Sequence, residues 1–213
     1  MTAAVKICGI STAESVNAAL AGGAAMVGFV FFAKSPRAVT ADTAARLAAP
    51  VRGRAKVVAV TVDPTDAELE AIARVLKPDL IQLHGKEGPA RAREIKERTR
   101  AGVVKAIPVC QPADIDMASQ YEPFADHLMF DAKPPTGSEL PGGVGARFDW
   151  DMLKGRRFER PWFLAGGLDP WNVTDALARS GAPMVDVSSG VERGAGLKDP
   201  ALITAFLDAV RRA

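Results

Sequence analysis

This sequence contains few cysteines and no long apolar run. Only two cysteines, Cys8 and Cys110, occur among its 213 residues. No apolar run reaches the roughly 18 residues that a membrane span needs, and none follows a basic N-terminus as in a signal peptide. We therefore expect a cytoplasmic protein that has no membrane contact and keeps both thiols reduced.

A strong charge of either sign is also missing. The formal net charge is only +2, and the one basic cluster, Lys154-Gly155-Arg156-Arg157, is short and lacks interleaved aromatic residues. Nucleic acid is therefore not an expected partner. With 48% hydrophobic and 24% charged residues and no low-complexity linker, the chain has a globular composition. We expect one domain over residues 1–213.

The first predicted strand is not followed by a Gly-x-Gly-x-x-Gly turn, which argues against a doubly wound open sheet and against a bound dinucleotide. The chain instead repeats a unit of strand, loop and helix. Eight apolar or β-branched runs predict strands at 5–8, 26–32, 56–62, 80–85, 102–109 and 127–131, in a run ending at 166, and in a run beginning at 184. This alternation predicts an α/β fold, a single-domain (β/α)8 TIM barrel with eight parallel strands.

Two kinds of capping signal mark the predicted helix starts. Ser11 with Glu14 and Thr65 with Glu68 have the spacing of capping boxes. Asp-Pro pairs at 169–170 and 199–200 predict an N-cap followed by proline at the first helical position. The segment 133–147 is longer than the usual connection of about 2–6 residues, so we predict a functional lid there, followed by a short helix near 149–153.

Glycine turns follow the last two predicted strands. Gly166-Gly167 ends the seventh strand and Ser188-Ser189-Gly190 ends the eighth. Glycines in such turns let backbone N–H groups approach a bound phosphate closely. Because a phosphate commonly lies beside the loops after strands 7 and 8 of a (β/α)8 barrel, we predict one shared phosphate site, for a small phosphorylated molecule, at these turns.

Two polar residues at predicted strand ends are candidates for proton transfer, because the active site of a barrel lies at the C-terminal ends of its strands. Cys8 ends the first strand and shares a face with Lys6, whose charge would favour the thiolate. The alternative is a small buried hydrophobe. Asp131 ends the sixth strand after an apolar run. An unpaired carboxylate there is energetically costly unless it is solvated or has a functional role. The alternative is a side chain that anchors the following loop.

Three further side chains could contact a substrate. Arg37 lies in a Ser-Pro-Arg turn after the second strand, and its guanidinium suits a carboxylate or phosphate, although a lone arginine could equally be a surface charge. Gln82 and His84 share one face of the fourth strand, where a lone histidine is more often structural than a ligand. Since His127 begins a different strand, no metal-like spacing arises and we predict no catalytic metal.

Seven short motifs run in order along nearly the whole chain: Lys6-Ile7-Cys8-Gly9, Gly28-Phe29-Val30-Phe31, Ser35-Pro36-Arg37, Gln82-Leu83-His84-Gly85, Phe148-Asp149-Trp150, Leu164-Ala165-Gly166-Gly167-Leu168 and Asp186-Val187-Ser188-Ser189-Gly190-Val191-Glu192. Each is weak alone, but the seven in this order are specific. They resemble the motifs of the phosphoribosylanthranilate isomerase family.

The resemblance implies a small (β/α)8 barrel of tryptophan biosynthesis. Such an enzyme converts N-(5-phosphoribosyl)anthranilate into its 1-deoxyribulose 5-phosphate isomer by an Amadori rearrangement that needs no cofactor. By the resemblance, Cys8 is the general base, Asp131 the general acid and Arg37 the partner of the anthranilate carboxylate. The remaining predicted contacts are to the phosphate, by Gly166, Gly167, Ser188, Ser189 and Gly190, and to the rest of the substrate, by Gln82, His84 and Asp186.

The chain departs from the family in the loop after strand 6. Gly142-Gly143-Val144-Gly145 stands where the family usually has Gly-Gly-Ser/Thr-Gly, so any hydroxyl contact from that position would be lost. Two alternatives stay open. A related isomerase of histidine biosynthesis works with two aspartates at the positions of Cys8 and Asp131, whereas a non-catalytic phosphosugar-binding barrel would have no reason to keep an inward thiol and an opposed acid. The sequence also leaves open whether the protein is a monomer or a homodimer.

Overall fold

Parallel strands form a closed barrel in chain order, which confirms the predicted (β/α)8 architecture. The structure is a computed structural model that describes residues 2–143 and 145–213. Its barrel strands are β1 (Ala4–Cys8), β2 (Met26–Val30), β3 (Lys56–Thr61), β4 (Leu80–Leu83), β5 (Gly102–Val109), β6 (His127–Ala132), β7 (Trp162–Leu164) and β8 (Met184–Val187). β8 pairs back with β1 and so closes the barrel, with Lys6 opposite Asp186.

Side chains alternate between the barrel interior and the layer beneath the helices. Along β1, Ile7 packs into the large apolar cluster between the sheet and the helices, while Cys8 belongs to a smaller cluster inside the barrel. Met129 and Phe163 fill that inner cluster and are fully buried. The interior is therefore a packed core, and a polar side chain at the end of a strand faces the mouth of the barrel.

Helices cover the outside of the barrel. They are α1 (Ala13–Ala21), α2 (Ala41–Ala48), α3 (Asp66–Leu76), α4 (Pro89–Thr99), α5 (Pro112–Asp116), α6 (Ala118–Tyr121), α7 (Val173–Ser180) and α8 (Pro200–Arg212). The capping box that begins α3 is confirmed, since Thr65 and Glu68 exchange both hydrogen bonds. Asp199 caps α8 as predicted by accepting from the N–H groups of Ala201 and Leu202. No helix among the described residues is both long enough and apolar enough to span a membrane.

Two predicted helix starts are wrong. The N-cap of α1 is Thr12 rather than Ser11, and its hydroxyl accepts from the N–H of Ser15. Both residues can cap, so the local pattern offers two registers one residue apart. Thr12 is the residue that caps, with an extended backbone (φ −132°, ψ 156°).

The second wrong start is that of α7, which begins at Val173 instead of following Asp169-Pro170 directly. The Asp169 carboxylate caps a turn by accepting from the N–H groups of Trp171 and Asn172. The Asn172 amide then donates to the carbonyl oxygen of Gly167 at 2.9 Å. Because Asn172 is held by this hydrogen bond to the glycine turn, α7 begins only after it, at Val173.

The connection after β6 is long, as predicted. Residues 133–143 and 145–149 contain no helix or strand, and a single 3-10 turn, Trp150–Leu153, follows with Asp149 as its N-cap. Val144, the departure from the family pattern, lies outside the described residues. A small antiparallel hairpin, β9 (Glu192–Gly194) with β10 (Leu197–Lys198), follows β8 beside the mouth of the barrel.

Candidate active site

A cleft of about 760 Å³, including space open to solvent, lies at the C-terminal mouth of the barrel. Of the residues singled out from the sequence, Gln82 and Gly190 lie just behind its wall, where Gln82 contacts His84 and Gly190 packs on the turn after β7. The others line it together: Cys8, Arg37, His84, Asp131, Gly166, Gly167, Asp186, Ser188 and Ser189. In the described part of the chain, no three His, Cys, Asp or Glu side chains form a group suited to a metal ion.

Cys8 is buried at the end of β1, next to an ion pair that the sequence alone did not show. Lys6 Nζ donates to Asp186 Oδ1 at 2.9 Å, across the seam between β1 and β8. Burial raises the pKa of the Cys8 thiol, and the nearby carboxylate of Asp186 raises it too. Lys6 lowers that pKa, as predicted, but does not outweigh burial. Lys6 thus favours the thiolate as expected, while burial, which the sequence does not give, holds the pKa of the thiol above its ordinary value.

Lys6 itself remains charged within this cluster. Burial lowers its pKa, but Asp186 and Cys8 together outweigh burial, so the pKa of Lys6 ends above its ordinary value. The cluster thus contains one ammonium, one carboxylate and one thiol. When the thiol loses its proton, the ammonium is already in place beside the thiolate.

Asp131 contacts a polar chain that runs down into the barrel. Its Oδ2 lies 3.0 Å from Nε2 of His84, and Nδ1 of His84 lies 2.8 Å from the amide nitrogen of Gln82. Gln82 and His84 share one face of β4, as the spacing predicts, and Asp131 faces them from β6. His84 is therefore not an isolated histidine, because one of its ring nitrogens contacts the proposed acid directly.

Arg37 is buried rather than a surface charge, with only 6% of its surface exposed. Its Nε and Nη2 donate to the two oxygens of Glu192 at 2.7 and 2.9 Å, and Nη2 also donates to the carbonyl of Gly143 at 3.1 Å. Lys198 Nζ donates to Glu192 Oε1 at 2.6 Å. Burial raises the pKa of Glu192, but these two cations outweigh it and the pKa is lowered. Glu192 thus holds the Nε–Nη2 edge of the Arg37 guanidinium in place.

Glu192 and Lys198 were not assigned roles from the sequence. Glu192 ends the last of the seven motifs, but its partner Arg37 is 155 positions away, so no local spacing signals the pair. Lys198 lies on β10 and also donates to the carbonyl of Ser188 at 2.9 Å. The hairpin therefore connects the carboxylate that holds Arg37 to the turn after β8.

The two glycine turns touch each other through backbone atoms. A Cβ at Gly190 would overlap the carbonyl oxygen of Leu168, which lies just after Gly166 and Gly167. Gly166 and Gly167 both have positive φ angles, +89° and +61°, that favour glycine. Close packing of the loops after β7 and β8 thus requires glycine at 190. The two turns are in contact, which is the arrangement that one shared phosphate site needs.

The loop after β6 packs directly against the Asp131 and His84 side chains. A Cβ at Gly142 would lie 2.5 Å from His84 Nε2 and 2.6 Å from Asp131 Oδ2. Farther along the loop, Arg147 donates to the carbonyl of Gly167 at 3.0 Å and to Asp169 at 2.8 Å. The loop therefore lies over the acid and is fixed to the turn after β7.

Comparison with known proteins agrees with this geometry. The profile of the N-(5'-phosphoribosyl)anthranilate (PRA) isomerase family matches residues 5–209. The N-(5'-phosphoribosyl)anthranilate isomerase of Caulobacter sp. (strain K31) is 64% identical over 208 residues, which are 97% of this chain and 98% of that protein.

Two solved structures support the same assignment. The crystal structure of phosphoribosyl anthranilate isomerase from Thermotoga maritima is 34% identical, with a TM-score of 0.88 over 99% of this chain and 100% of that chain. A crystal structure of phosphoribosyl anthranilate isomerase in complex with reduced 1-(o-carboxyphenylamino)-1-deoxyribulose 5-phosphate is 31% identical, with a TM-score of 0.84 over the same shares. The seven ordered motifs, the closed barrel and these similarities establish that the chain belongs to the phosphoribosylanthranilate isomerase family.

Proposed function

We propose that this protein converts N-(5'-phosphoribosyl)anthranilate into 1-(2-carboxyphenylamino)-1-deoxyribulose 5-phosphate, as an intramolecular oxidoreductase that interconverts an aldose and a ketose. The observation that carries the proposal is one cleft lined by a thiol from β1, a carboxylic acid group from β6 and the glycine turns after β7 and β8. The substrate is a phosphorylated anion of the kind that a cell keeps in its cytoplasm, and we propose that the enzyme works there.

The reaction needs an acid and a base at different carbons of the sugar. Asp131 gives a proton to the furanose ring oxygen as its bond to C1 breaks, and the anthranilate nitrogen supplies the electron pair that forms the Schiff base. The thiolate of Cys8 then removes the proton from C2, and the resulting enolamine tautomerises to the ketone. The backbone N–H groups of the glycine turns hold the phosphate, and the substrate carboxylate binds Arg37.

A fluorescence assay tests the proposed function directly. The purified protein should consume N-(5'-phosphoribosyl)anthranilate with loss of its anthranilate-type fluorescence. The corresponding aminoaldose of histidine biosynthesis, offered at the same concentration, should not be converted, because that chemistry is associated with two aspartates. Turnover of the histidine-pathway compound alone would contradict the proposal, and turnover of neither would indicate a silent binding barrel.

Substitution of Arg37 by alanine should chiefly raise KM. The guanidinium is proposed to contact the anthranilate carboxylate equally in the ground state and in the transition state, so kcat should change little. A charge-assisted hydrogen bond contributes about 1.5–3 kcal/mol, which corresponds to a KM about 10- to 100-fold higher. Arg46→Ala, on the outer surface of α2, is the matched control and should leave KM unchanged. A fall in kcat at constant KM would give Arg37 a chemical role instead.

Substitution of Gly190 by alanine should weaken binding of the phosphorylated product. The added methyl group would overlap the carbonyl of Leu168, so the loops after β7 and β8 must separate and their N–H groups must move apart. Overpacking of this kind costs about 1–3 kcal/mol, and we expect at least a tenfold loss of affinity in calorimetric titration, ~1.4 kcal/mol. Gly88→Ala is the control, because a Cβ there meets no atom within 4 Å. Equal product affinity in both variants would move the phosphate away from these turns.

A further inference from the structure

Gln82 is buried completely inside the barrel, below the cleft floor. Its amide nitrogen lies 2.8 Å from Nδ1 of His84 and donates to the sulfur of Met129 at 3.4 Å. Its amide oxygen is buried and has no hydrogen-bond partner in the described part of the chain. A buried glutamine held in this way has few choices of orientation, and each choice imposes a different hydrogen position on His84.

The alternative orientation of the Gln82 amide would be less favourable. Turning the amide over would point its oxygen at the imidazole and at the sulfur of Met129, and would place both N–H donors where the oxygen now has no partner. Two buried donors would then be unpaired instead of one acceptor, and every buried polar group without a partner is unfavourable. The orientation with the amide nitrogen toward His84 is therefore preferred.

This orientation fixes the tautomer of His84. A neutral imidazole has one donor and one acceptor nitrogen, and the Gln82 N–H makes Nδ1 the acceptor. The hydrogen is then on Nε2, which donates to Oδ2 of Asp131 at 3.0 Å. Oδ2 is thus engaged as an acceptor. The other oxygen, Oδ1, faces the turn after β7, at 3.1 Å from the position that a Cβ on Gly166 would occupy.

We propose that Gln82 is a positioning residue that, through the tautomer of His84, assigns the acidic proton of Asp131 to Oδ1, on the side of the phosphate-binding turn. The inference rests on the proposed function for the role of Asp131. In the ring-opening step the proton leaves Oδ1 for the furanose oxygen, which keeps the electron pair of its broken bond to C1. The carboxylate that remains keeps the hydrogen bond from His84 Nε2, so the negative charge forms where a donor already points.

Nitrogen-15 NMR of the histidine rings tests the tautomer without any substrate. The chain has only two histidines, and His127 on β6 is an internal reference outside the cleft. In the free wild-type protein, His84 Nδ1 should give a pyridine-type shift and Nε2 a pyrrole-type shift. In Gln82→Glu a carboxylate faces Nδ1, which must then carry a hydrogen, so its signal should become pyrrole-type. Wild-type His84 with the hydrogen on Nδ1, or no change in Gln82→Glu, would overturn the inference.

Kinetics test whether the tautomer matters for the reaction. Gln82→Met keeps the side-chain length but removes the amide donor. We expect kcat to fall at least about tenfold while KM changes little, since loss of a group that orients a functional side chain usually has an effect of this size. His84→Gln can place an amide donor near the position of Nε2 and should retain more activity than His84→Leu, which cannot. If the two His84 variants lose kcat equally, or if Gln82→Met keeps wild-type kcat, the assignment fails.

The inference and the proposed function can fail separately. If wild-type protein does not isomerise N-(5'-phosphoribosyl)anthranilate, the proposed function fails, whereas the NMR result still reports the tautomer. If Asp131→Asn loses activity but the Gln82 and His84 variants do not, the function stands and the positioning role does not. If Gln82→Met does not fold, the His84 pair and the wild-type spectrum decide the matter.

Discussion

Replacing Cys8 by alanine is expected to lower kcat by about 10²- to 10⁴-fold, the usual contribution of a positioned general base and roughly 2.7–5.4 kcal/mol of barrier. The thiol lies at the end of β1 inside the cleft, and Lys6 stands beside it to accompany the thiolate. Product affinity should change little, because the phosphate and carboxylate contacts are elsewhere. Steady-state turnover and product titration of the same sample measure both effects.

The exposed thiol of Cys110 provides the matched control, since Cys110→Ala removes a sulfur away from the cleft and should leave kcat unchanged. The pH dependence gives a second check. Burial raises the pKa of Cys8, so the thiolate fraction at neutral pH is small and grows as the pH rises. Because the base is the deprotonated form, kcat/KM should rise into the alkaline range, and Cys8→Ala should lose that rise. Near wild-type turnover in Cys8→Ala would move the base elsewhere, and His84 would be the first residue to test.

The architecture could be predicted because it depends on local patterns. Each barrel strand is a largely apolar run, and the predicted fifth strand matches β5, Gly102–Val109, at both ends. The capping box at Thr65 is also local, since both of its hydrogen bonds join residues three apart. The predicted start of α7 was wrong because the Asn172 amide donates to the carbonyl of Gly167, five residues earlier in the glycine turn, and this contact overrides the Asp-Pro signal.

The site was predictable in its positions but not in its charges. The strand-end rule brings Cys8 and Asp131 to one mouth although they are far apart in sequence. The sequence does not reveal that Lys6 forms an ion pair with Asp186, because their contact exists only once β8 closes on β1. Nor does it give the burial that raises the pKa of Cys8. Charge balance in the interior depends on partners from distant strands, and a pattern read along one strand cannot supply them.

Asparagine in place of Asp131 should be as damaging as the loss of the thiol, with kcat lower by about 10²- to 10⁴-fold. The amide has nearly the shape of the acid but cannot give a proton to the ring oxygen, so furanose opening becomes slow. The melting temperature should stay unchanged while kcat falls, because the amide oxygen can still accept a hydrogen bond from His84 Nε2. Asp42→Asn, an exposed change on α2, is the control and should leave kcat unaltered.

An isotope experiment separates the role of Asp131 from that of Cys8. With substrate deuterated at C2, the wild-type enzyme should show a primary isotope effect if proton removal limits the rate. Cys8→Ser, with a poorer base, should show a larger effect, because the step that breaks the C2–D bond becomes slower. Asp131→Asn should show a smaller one, because ring opening precedes that step and becomes limiting. A larger isotope effect in Asp131→Asn than in Cys8→Ser would exchange the two assignments, with the carboxylate as the base at C2 and the thiol as the proton donor.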